Sequence, residues 1–272
     1  TSSGPFTGAV LIGADGSGSR VRSAIFGCSK ETIGRALMFD VPLATATGYS
    51  SSAGQFYRFD FRCVAADIPG YCWAFPCLIN GVPYINAGIY EWKAANSNAE
   101  SDRRPRLLAE LRKAFPDVPF ASVSECGGYK AAPIRWYSPS DHYVDRRVIL
   151  AGDAAGVDPL MGEGISFALE HGWMAAEAAA RFLGGDPGAI ASYGLALHAG
   201  YNGRKLGRLA FAARRFYGPR HRFYFKIASL SRNAQMLGLD WYNGANGVGE
   251  TSALRVAGRC LASIVLRRPF NQ

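Results

Sequence analysis

The sequence predicts an α/β protein (α+β overall), and three patterns carry that prediction. Residues 8–14 are an all-apolar run, which is typical of a parallel strand covered on both faces, and residues 147–151, apolar after Arg147, predict another buried strand. Residues 55–64 and 82–92 are rich in aromatic and β-branched residues that alternate with others, as in antiparallel strands with one face on a core or a ligand. A long helix is predicted over about 164–183, directly after the second apolar run.

Apolar spacing predicts where the helices bury their faces. A helix over 103–115 places four apolar residues on one side, namely Leu107, Leu108, Leu111 and Phe115. The helix over 164–183 is expected to bury Ile165, Ala168, Leu169, Gly172, Ala176 and Ala179. The remainder of the chain, 186–272, is predicted to be helical and to end in an apolar stripe over 254–266.

Composition favours a folded protein of the cytoplasm. The chain has 272 residues, 49% hydrophobic and 19% charged, enough for one large or two medium domains. It contains no apolar run near the ~18 residues that cross a membrane and no N-terminal secretion signal. Its six cysteines are scattered and are expected to be reduced thiols, and neither they nor the four histidines have metal-ligand spacing. No metal site is predicted.

The positive charge is concentrated in one segment. Between Asp186 and Asp240 there is no acidic residue and there are nine cations, as many as the formal net charge of +9. Aromatic residues are interleaved with these cations over 204–232. That mixture suits peripheral contact with an anionic membrane surface, and equally a solvated helical face or a partner surface. Nucleic acid is not expected as a partner.

The segment that follows the second apolar run carries the strongest chemical signal. Ligands of open α/β sheets bind at the carboxyl ends of strands, where Asp153 lies and where Gly152 leaves room. A carboxylate there can accept hydrogen bonds from sugar or ribityl hydroxyls. Gly162 and Gly164 bracket a turn into the long helix, whose N-terminus can stabilise negative charge such as that of a reduced flavin. The structural alternative is a tight turn with an N-terminal cap.

Residues 151–165 resemble the second FAD motif of the glutathione-reductase-like flavoproteins, which include aromatic hydroxylases and geranylgeranyl reductases. The resemblance implies that Gly152 and Asp153 bind the ribityl or ribose region of FAD. It also implies that five residues run beside the isoalloxazine ring, namely Pro159, Gly162, Glu163, Gly164 and Ile165.

A second match precedes this one in the order that the family shows. Residues 15–22 resemble its D-G-x-x-S-x-x-R motif, with Asp15, Gly16 and Arg22 at the defining positions. The resemblance implies that Asp15 and Gly16 lie near the FAD diphosphate and that Arg22 organises the loop. Without the family, the same residues indicate only an Asp-Gly turn before a basic helix.

A third match narrows the family to geranylgeranyl reductases. Residues 70–76 and 86–88 resemble their Y-x-W-x-F-P…G-x-G substrate motif, although Asn86 replaces the first glycine. Side chains alternate along a strand, so Tyr71, Trp73 and Phe75 share one face next to Pro76. Such an aromatic wall suits a polyprenyl chain or another flat apolar substrate. The alternative is a strand whose aromatic residues fill a core.

The glycines near the N-terminus do not form a diphosphate-binding loop. Gly13, Gly16 and Gly18 are spaced G-x-x-G-x-G, not G-x-G-x-x-G. The resembled family carries that loop far upstream of the Asp-Gly motif, so we expect it on a second polypeptide or on a segment outside this sequence. The chain is then an incomplete Rossmann-like FAD domain (1–34 and 136–185) with an antiparallel-sheet substrate domain (35–135) and a helical C-terminal region (186–272).

Together these matches imply a geranylgeranyl reductase-like, FAD-dependent oxidoreductase. The expected reaction is reduction of carbon–carbon double bonds of an isoprenoid or other lipid-like substrate, with NAD(P)H or another reductant as electron donor. No catalytic side chain is assigned. An FAD-dependent monooxygenase or halogenase stays open as an alternative, and so does a non-catalytic fragment or one polypeptide of a split flavoprotein. Activity of this chain alone is not implied.

Overall fold

The computed structural model describes residues 4–27, 33–43, 57–92, 103–118, 120 and 128–242, with 254–255, 257–258 and 262 near the C-terminus. The strands in these ranges are β1 (Leu11–Gly13), β2 (Ile33–Pro42), β3 (Arg58–Asp60), β4 (Gly70–Ile79), β5 (Val82–Glu91), β6 (Lys130–Arg135), β7 (Val144–Asp145) and β8 (Val148–Leu150). The helices are α1 (Arg20–Ile25), α2 (Arg103–Ala114), α3 (Ile165–Leu183), α4 (Ala189–Ala199), α5 (Tyr201–Phe216), α6 (His221–Leu230) and α7 (Arg232–Tyr242). Most of the apolar stripe predicted over 254–266 lies outside the described residues.

The chain forms two compact units. Unit 1 comprises residues 1–31, 134–214 and 226–272, and unit 2 comprises residues 32–133 and 215–225. The helical region 186–272 is therefore divided, because residues from the end of α5 to the middle of α6 belong to unit 2. The mixture of helices with strands of both orientations confirms the predicted fold class.

Unit 1 contains a three-stranded sheet with the order β1-β8-β7. β1 pairs in parallel with β8, with Gly13 opposite Leu150, and β7 pairs antiparallel with β8. The two apolar runs predicted as strands therefore lie side by side. The prediction that both faces of β1 are covered is wrong, since Leu11 and Ile12 are exposed. β1 is the edge strand of this sheet, and β8 is its one neighbour there.

Helix α3 agrees with the predicted segment but buries a different face. Its buried residues are Phe167, His171, Ala175 and Ala178. The predicted face is wrong, because Ile165 and Leu169 are 79% and 72% exposed, and Trp173 beside them is 77% exposed. Apolar side chains surround α3, so their spacing alone did not identify the buried face.

Unit 2 contains a five-stranded sheet with the order β3-β4-β5-β2-β6. β4 and β5 form a hairpin through Asn80 and Gly81, whose positive φ angles of 52° and 79° match a type I′ turn. One sheet face packs on Leu107 and Leu111 of α2 and forms the core of the unit. The strand predicted over 55–64 is realised only as β3, because residues 62–66 turn into a 3₁₀ helix; residues 55–56 lie outside the described ranges.

Gly70 should tolerate no side chain. A Cβ there would lie 1.9 Å from the carbonyl oxygen of Tyr90 on the neighbouring strand. Gly70→Ala is expected to destabilise the protein by roughly 2–4 kcal/mol, since a backbone clash cannot relax cheaply. Urea unfolding measures the effect. Gly172→Ala is the control: the site is open and helical, so a gain of about 0.5–1 kcal/mol is expected. An unchanged unfolding midpoint for Gly70→Ala would contradict the strand pairing.

Candidate functional site

The Asp-Gly motif forms a capped turn after β1. The carboxylate of Asp15 accepts hydrogen bonds from the Ser19 hydroxyl (2.6 Å) and the backbone N–H of Arg20 (2.7 Å). The Ser19 hydroxyl oxygen in turn accepts the N–H of Arg22 at 2.9 Å and caps α1. Burial raises the pKa of the Asp15 carboxyl, but hydrogen bonds from the hydroxyl and backbone N–H groups outweigh it and leave the pKa below its usual value. Gly16 supplies the positive φ of 80° that the turn requires.

Arg22 holds this turn against the second motif. Its side chain is buried, donates to the carbonyl oxygen of Ala154 at 3.0 Å, and forms an ion pair with Asp141. A buried guanidinium needs such partners, because desolvation of an isolated charge is costly. Arg22 therefore fixes α1 to the 3₁₀ turn over residues 152–154.

Ser17 joins the two motifs directly. Its hydroxyl donates to the carboxylate of Asp153 at 3.2 Å and accepts the backbone N–H of Arg135 at 3.1 Å. The Arg135 guanidinium also donates to the Ser17 carbonyl oxygen at 3.1 Å. Ser17 occupies a position that the motif leaves unspecified, so the sequence alone did not indicate its role.

Asp153 lies at the carboxyl end of β8 and beside the start of α3. Gly152 before it has a positive φ of 58°, and Asp153 itself is half-buried. A Cβ on Gly164, the N-cap residue of α3, would lie 2.8 Å from the Asp153 carboxylate oxygen. Glycine at 164 is thus what allows this carboxylate and the helix N-terminus to approach each other.

The loop between the turn and α3 is closed by its own backbone. The N–H of Asp158 donates to the Glu163 carbonyl oxygen at 3.1 Å, and the N–H of Gly162 donates to the Asp158 carbonyl oxygen at 3.0 Å. Pro159 is buried within the loop. The Glu163 carboxylate accepts the N–H of Ser166 at 2.9 Å, so it caps the first turn of α3. Both the predicted turn and a helix cap are therefore present, and Ile165 is the first residue of the helix.

Asp158 is a buried acid that sequence reasoning passed over. One carboxylate oxygen accepts the N–H of Leu160 at 2.6 Å, and the other has no hydrogen-bond partner among the described residues. Burial raises the pKa of Asp158 to about 7, against the opposing effect of two backbone N–H groups. An aspartate before the proline of the loop was the visible signal, but its burial could not be read from the sequence.

His171 of α3 is buried beneath the same turn. Burial lowers the pKa of His171 to about 4, and the nearby backbone of Gly152 opposes that shift. Neither ring nitrogen has a hydrogen bond of good geometry among the described residues. His171 therefore packs as a neutral side chain. No three His, Cys, Asp or Glu side chains within the described ranges gather as metal ligands do.

The predicted substrate-facing residues lie in unit 2. Tyr71, Trp73 and Phe75 share one face of β4, with neighbouring ring centroids 5.9 and 6.5 Å apart. Phe59 of β3 extends this face, and its ring centroid lies 5.1 Å from that of Phe75. Tyr71 and Trp73 are each 8% exposed, whereas Phe75 and Pro76 are half-buried. The structure thus groups the cofactor-binding candidates in unit 1 and the aromatic candidates in unit 2.

The buried carboxyl of Asp158 should make stability depend on pH. Its pKa is higher in the folded state than in the unfolded chain, so stability falls as pH rises from about 4 to about 7. Asp158→Asn should be more stable than wild type at pH 8 by roughly 2–4 kcal/mol, and equal to it near pH 4. Urea unfolding at several pH values, with the exposed Asp145→Asn as control, measures this. A pH-independent difference would show that folding does not shift the pKa of Asp158.

Comparisons with known proteins show similarity in fold. No protein-family model matches the chain, and no curated protein matches its sequence. A geranylgeranyl bacteriochlorophyll reductase-like protein from Thermoplasma acidophilum superposes on 95% of this chain with a TM-score of 0.60 and 18% identity. A salicylate hydroxylase, solved as a substrate complex, superposes on 94% with a TM-score of 0.51 and 18% identity. The chain spans 60% and 64% of the lengths of these two proteins.

The resemblance stated from three sequence motifs is thereby confirmed at the level of fold: this chain has a fold similar to that of a geranylgeranyl bacteriochlorophyll reductase-like protein and of a salicylate hydroxylase.

Proposed function

We propose that this chain supplies the flavin-facing and substrate-facing parts of an FAD-dependent oxidoreductase that reduces carbon–carbon double bonds of an isoprenoid or other lipid-like substrate. The observation that carries the proposal is the hydrogen bond between Ser17 and Asp153. It joins two motifs that the sequence keeps 136 residues apart. The contact brings the Asp153 carboxylate beside the turn of the first motif, as a shared FAD site requires.

The residues present fit a flavin. The half-buried Asp153 carboxylate can accept hydrogen bonds from ribityl or ribose hydroxyls while it also accepts one from Ser17. Gly164 keeps the start of α3 free of a side chain beside that carboxylate. The N-terminus of α3 carries a partial positive charge, which suits the negatively charged edge of a reduced flavin. Asp15, Gly16 and Arg22 maintain the turn that is proposed to lie near the diphosphate.

The reaction divides between cofactor and protein. Bound FAD would supply the two-electron chemistry of the reduction, with NAD(P)H or another reductant as the electron donor and a proton from solvent or a side chain. Asp153 and residues 159–165 hold and orient the flavin, and Tyr71, Trp73 and Phe75 present an apolar surface to the substrate.

A monooxygenase is the second candidate. The salicylate hydroxylase shares the fold at nearly the same coverage as the reductase-like protein, so the fold does not separate the two reactions. The two differ in their use of oxygen. Turnover under anaerobic conditions supports the reductase, whereas oxygen consumption that requires substrate supports a monooxygenase or halogenase.

We also propose that another segment, which carries the GxGxxG loop, completes the flavin domain. That segment lies on a second polypeptide or on the same one. The outer face of α3 supports it. Ile165, Leu169, Trp173 and Leu183 form an exposed apolar stripe at helical spacing, with 65–79% of each residue accessible. A non-catalytic fragment with the same stripe is the remaining alternative.

Contact with an anionic membrane surface stays a proposal for residues 204–232. Arg204, Arg208 and Arg214 are exposed on α5, and Phe223 is exposed on α6. Within the segment, Arg204 also donates to the Ala199 carbonyl oxygen, Lys205 lies over the Phe167 ring, and Arg222 pairs with Asp67. None of the helices within the described ranges has the length and apolarity to span a membrane.

Flavin binding should depend on Asp153. Riboflavin carries the ribityl chain and ring without the diphosphate, so its affinity reports on this part of the site alone. Asp153→Ala is expected to weaken riboflavin and FAD binding roughly 10- to 100-fold, the effect of one or two hydrogen bonds to a charged group. Quenching of flavin fluorescence measures the affinity, and the exposed Asp145→Ala is the control. Equal affinities for wild type and Asp153→Ala would contradict the assigned role.

The apolar stripe of α3 should govern self-association, not folding. Leu169→Gln and Trp173→Gln are each expected to change the free energy of unfolding by less than about 0.5 kcal/mol, because both side chains are exposed. They should also lower aggregation of the isolated chain, as measured by light scattering. Substitution of the buried Phe167 by Gln is the contrast and should destabilise the protein strongly. If Leu169→Gln or Trp173→Gln unfolds the chain instead, the stripe belongs to the core.

A further inference from the structure

Asn86 departs from the G-x-G pattern of the resembled motif, and its contacts explain what an amide does there. It lies on β5, paired in register with Phe75 of β4 on one side and with Asp40 of β2 on the other. Its amide oxygen accepts the indole N–H of Trp73 at 2.8 Å. Its amide nitrogen donates to the Asp40 carboxylate at 2.8 Å.

An amide satisfies both neighbours. The indole N–H of Trp73 can only donate, and the ionised carboxylate of Asp40 can only accept. The residue between them must therefore accept on one side and donate on the other, which also fixes the orientation of the Asn86 amide. A glycine at 86 could do neither with a side chain.

Gly88, two residues further along β5, has no side chain and so leaves room for the same indole. A Cβ on Gly88 would lie 2.3 Å from Cζ2 and 2.5 Å from Cη2 of Trp73. The indole therefore extends from β4 over the backbone of β5 and lies directly against it. The Trp73 ring therefore packs on Gly88, and its N–H is hydrogen-bonded to Asn86.

Asp40 is itself held by a residue of the neighbouring edge strand, β6. The ammonium group of Lys130 on β6 donates to its second carboxylate oxygen at 2.6 Å. Burial raises the pKa of Asp40, but the hydrogen bonds from Lys130 and Asn86 outweigh it and hold the pKa below its usual value. The carboxylate thus stays an acceptor for Asn86 near neutral pH. A polar chain Trp73–Asn86–Asp40–Lys130 runs from the buried indole to an exposed lysine.

We propose that Asn86 is a specificity-determining residue that fixes the Trp73 indole as the floor of the aromatic substrate face. The inference rests on the proposed function, since it assumes that Tyr71, Trp73 and Phe75 face the substrate. With the indole held against Gly88, the Trp73 ring stays in contact with Tyr71 and with the half-buried Phe75, which is the more accessible end of this face. Without Asn86, the indole N–H loses its acceptor and the ring is free to leave Gly88. The surface then becomes uneven where the substrate would lie.

The position of the indole can be tested without any cofactor. The full chain labelled with [¹⁵N]tryptophan gives an indole N–H resonance for Trp73, which Trp73→Phe identifies. Asn86→Ala should shift this resonance and speed its exchange with D₂O roughly tenfold or more, because a buried hydrogen bond is lost. The double variant Asn86→Asp, Asp40→Asn should restore slow exchange. In it the carboxylate introduced at position 86 accepts from both the indole and the amide introduced at position 40, so every hydrogen bond of the chain has a counterpart.

Farnesol, an isoprenoid alcohol, serves as the probe for specificity and is titrated against the same resonance. Wild type and the double variant should bind it alike, and Asn86→Ala roughly three- to tenfold more weakly, the effect of one hydrogen bond. An unchanged Trp73 resonance in Asn86→Ala, or equal farnesol affinity once the indole has moved, overturns the role of Asn86. Absence of farnesol binding to wild type overturns the proposed isoprenoid face itself, and this inference with it.

Discussion

The hydrogen bond from the Ser17 hydroxyl to the Asp153 carboxylate is the contact on which the rest of unit 1 is organised. It forms because β1 and β8 are parallel neighbours, so both chains leave the sheet at the same edge. Ser17 belongs to the turn after β1 and Asp153 to the turn after β8. The buried guanidinium of Arg22 holds the same two turns together through the Ala154 carbonyl oxygen and Asp141. One serine and one arginine thus hold the two sequence motifs together.

That junction constrains the residues around it. Gly164 lets the Asp153 carboxylate approach closely, since a Cβ there would lie 2.8 Å from its oxygen. Gly156 has to be a glycine, because its Cβ would meet the Trp136 carbonyl oxygen at 2.6 Å. Loop 158–163 closes on itself and leaves Asp158 as a buried acid. Unit 2 is organised differently. There, side-chain hydrogen bonds through Asn86 hold an otherwise apolar aromatic face in one arrangement.

The sequence predicted β1, β5 and β8 and the shared face of Tyr71, Trp73 and Phe75 on β4, because each depends on local spacing. It missed the Asn80-Gly81 hairpin turn, although that dipeptide is a strong local signal. It chose the wrong face of α3, since apolar residues surround that helix. Ser17 and Asn86 could not be assigned because their partners are distant in the sequence, and Asp158 because its burial is not visible there. Burial and pairing across strands, which composition does not record, decide all three.

We propose that Asp153 and the loop over 159–165 hold a flavin, and a crystal structure of the chain soaked with FAD or riboflavin would locate it. We expect a ribityl or ribose hydroxyl within about 3.2 Å of the Asp153 carboxylate and the ring alongside the loop. A flavin bound elsewhere, with no ligand hydroxyl near Asp153, would contradict it.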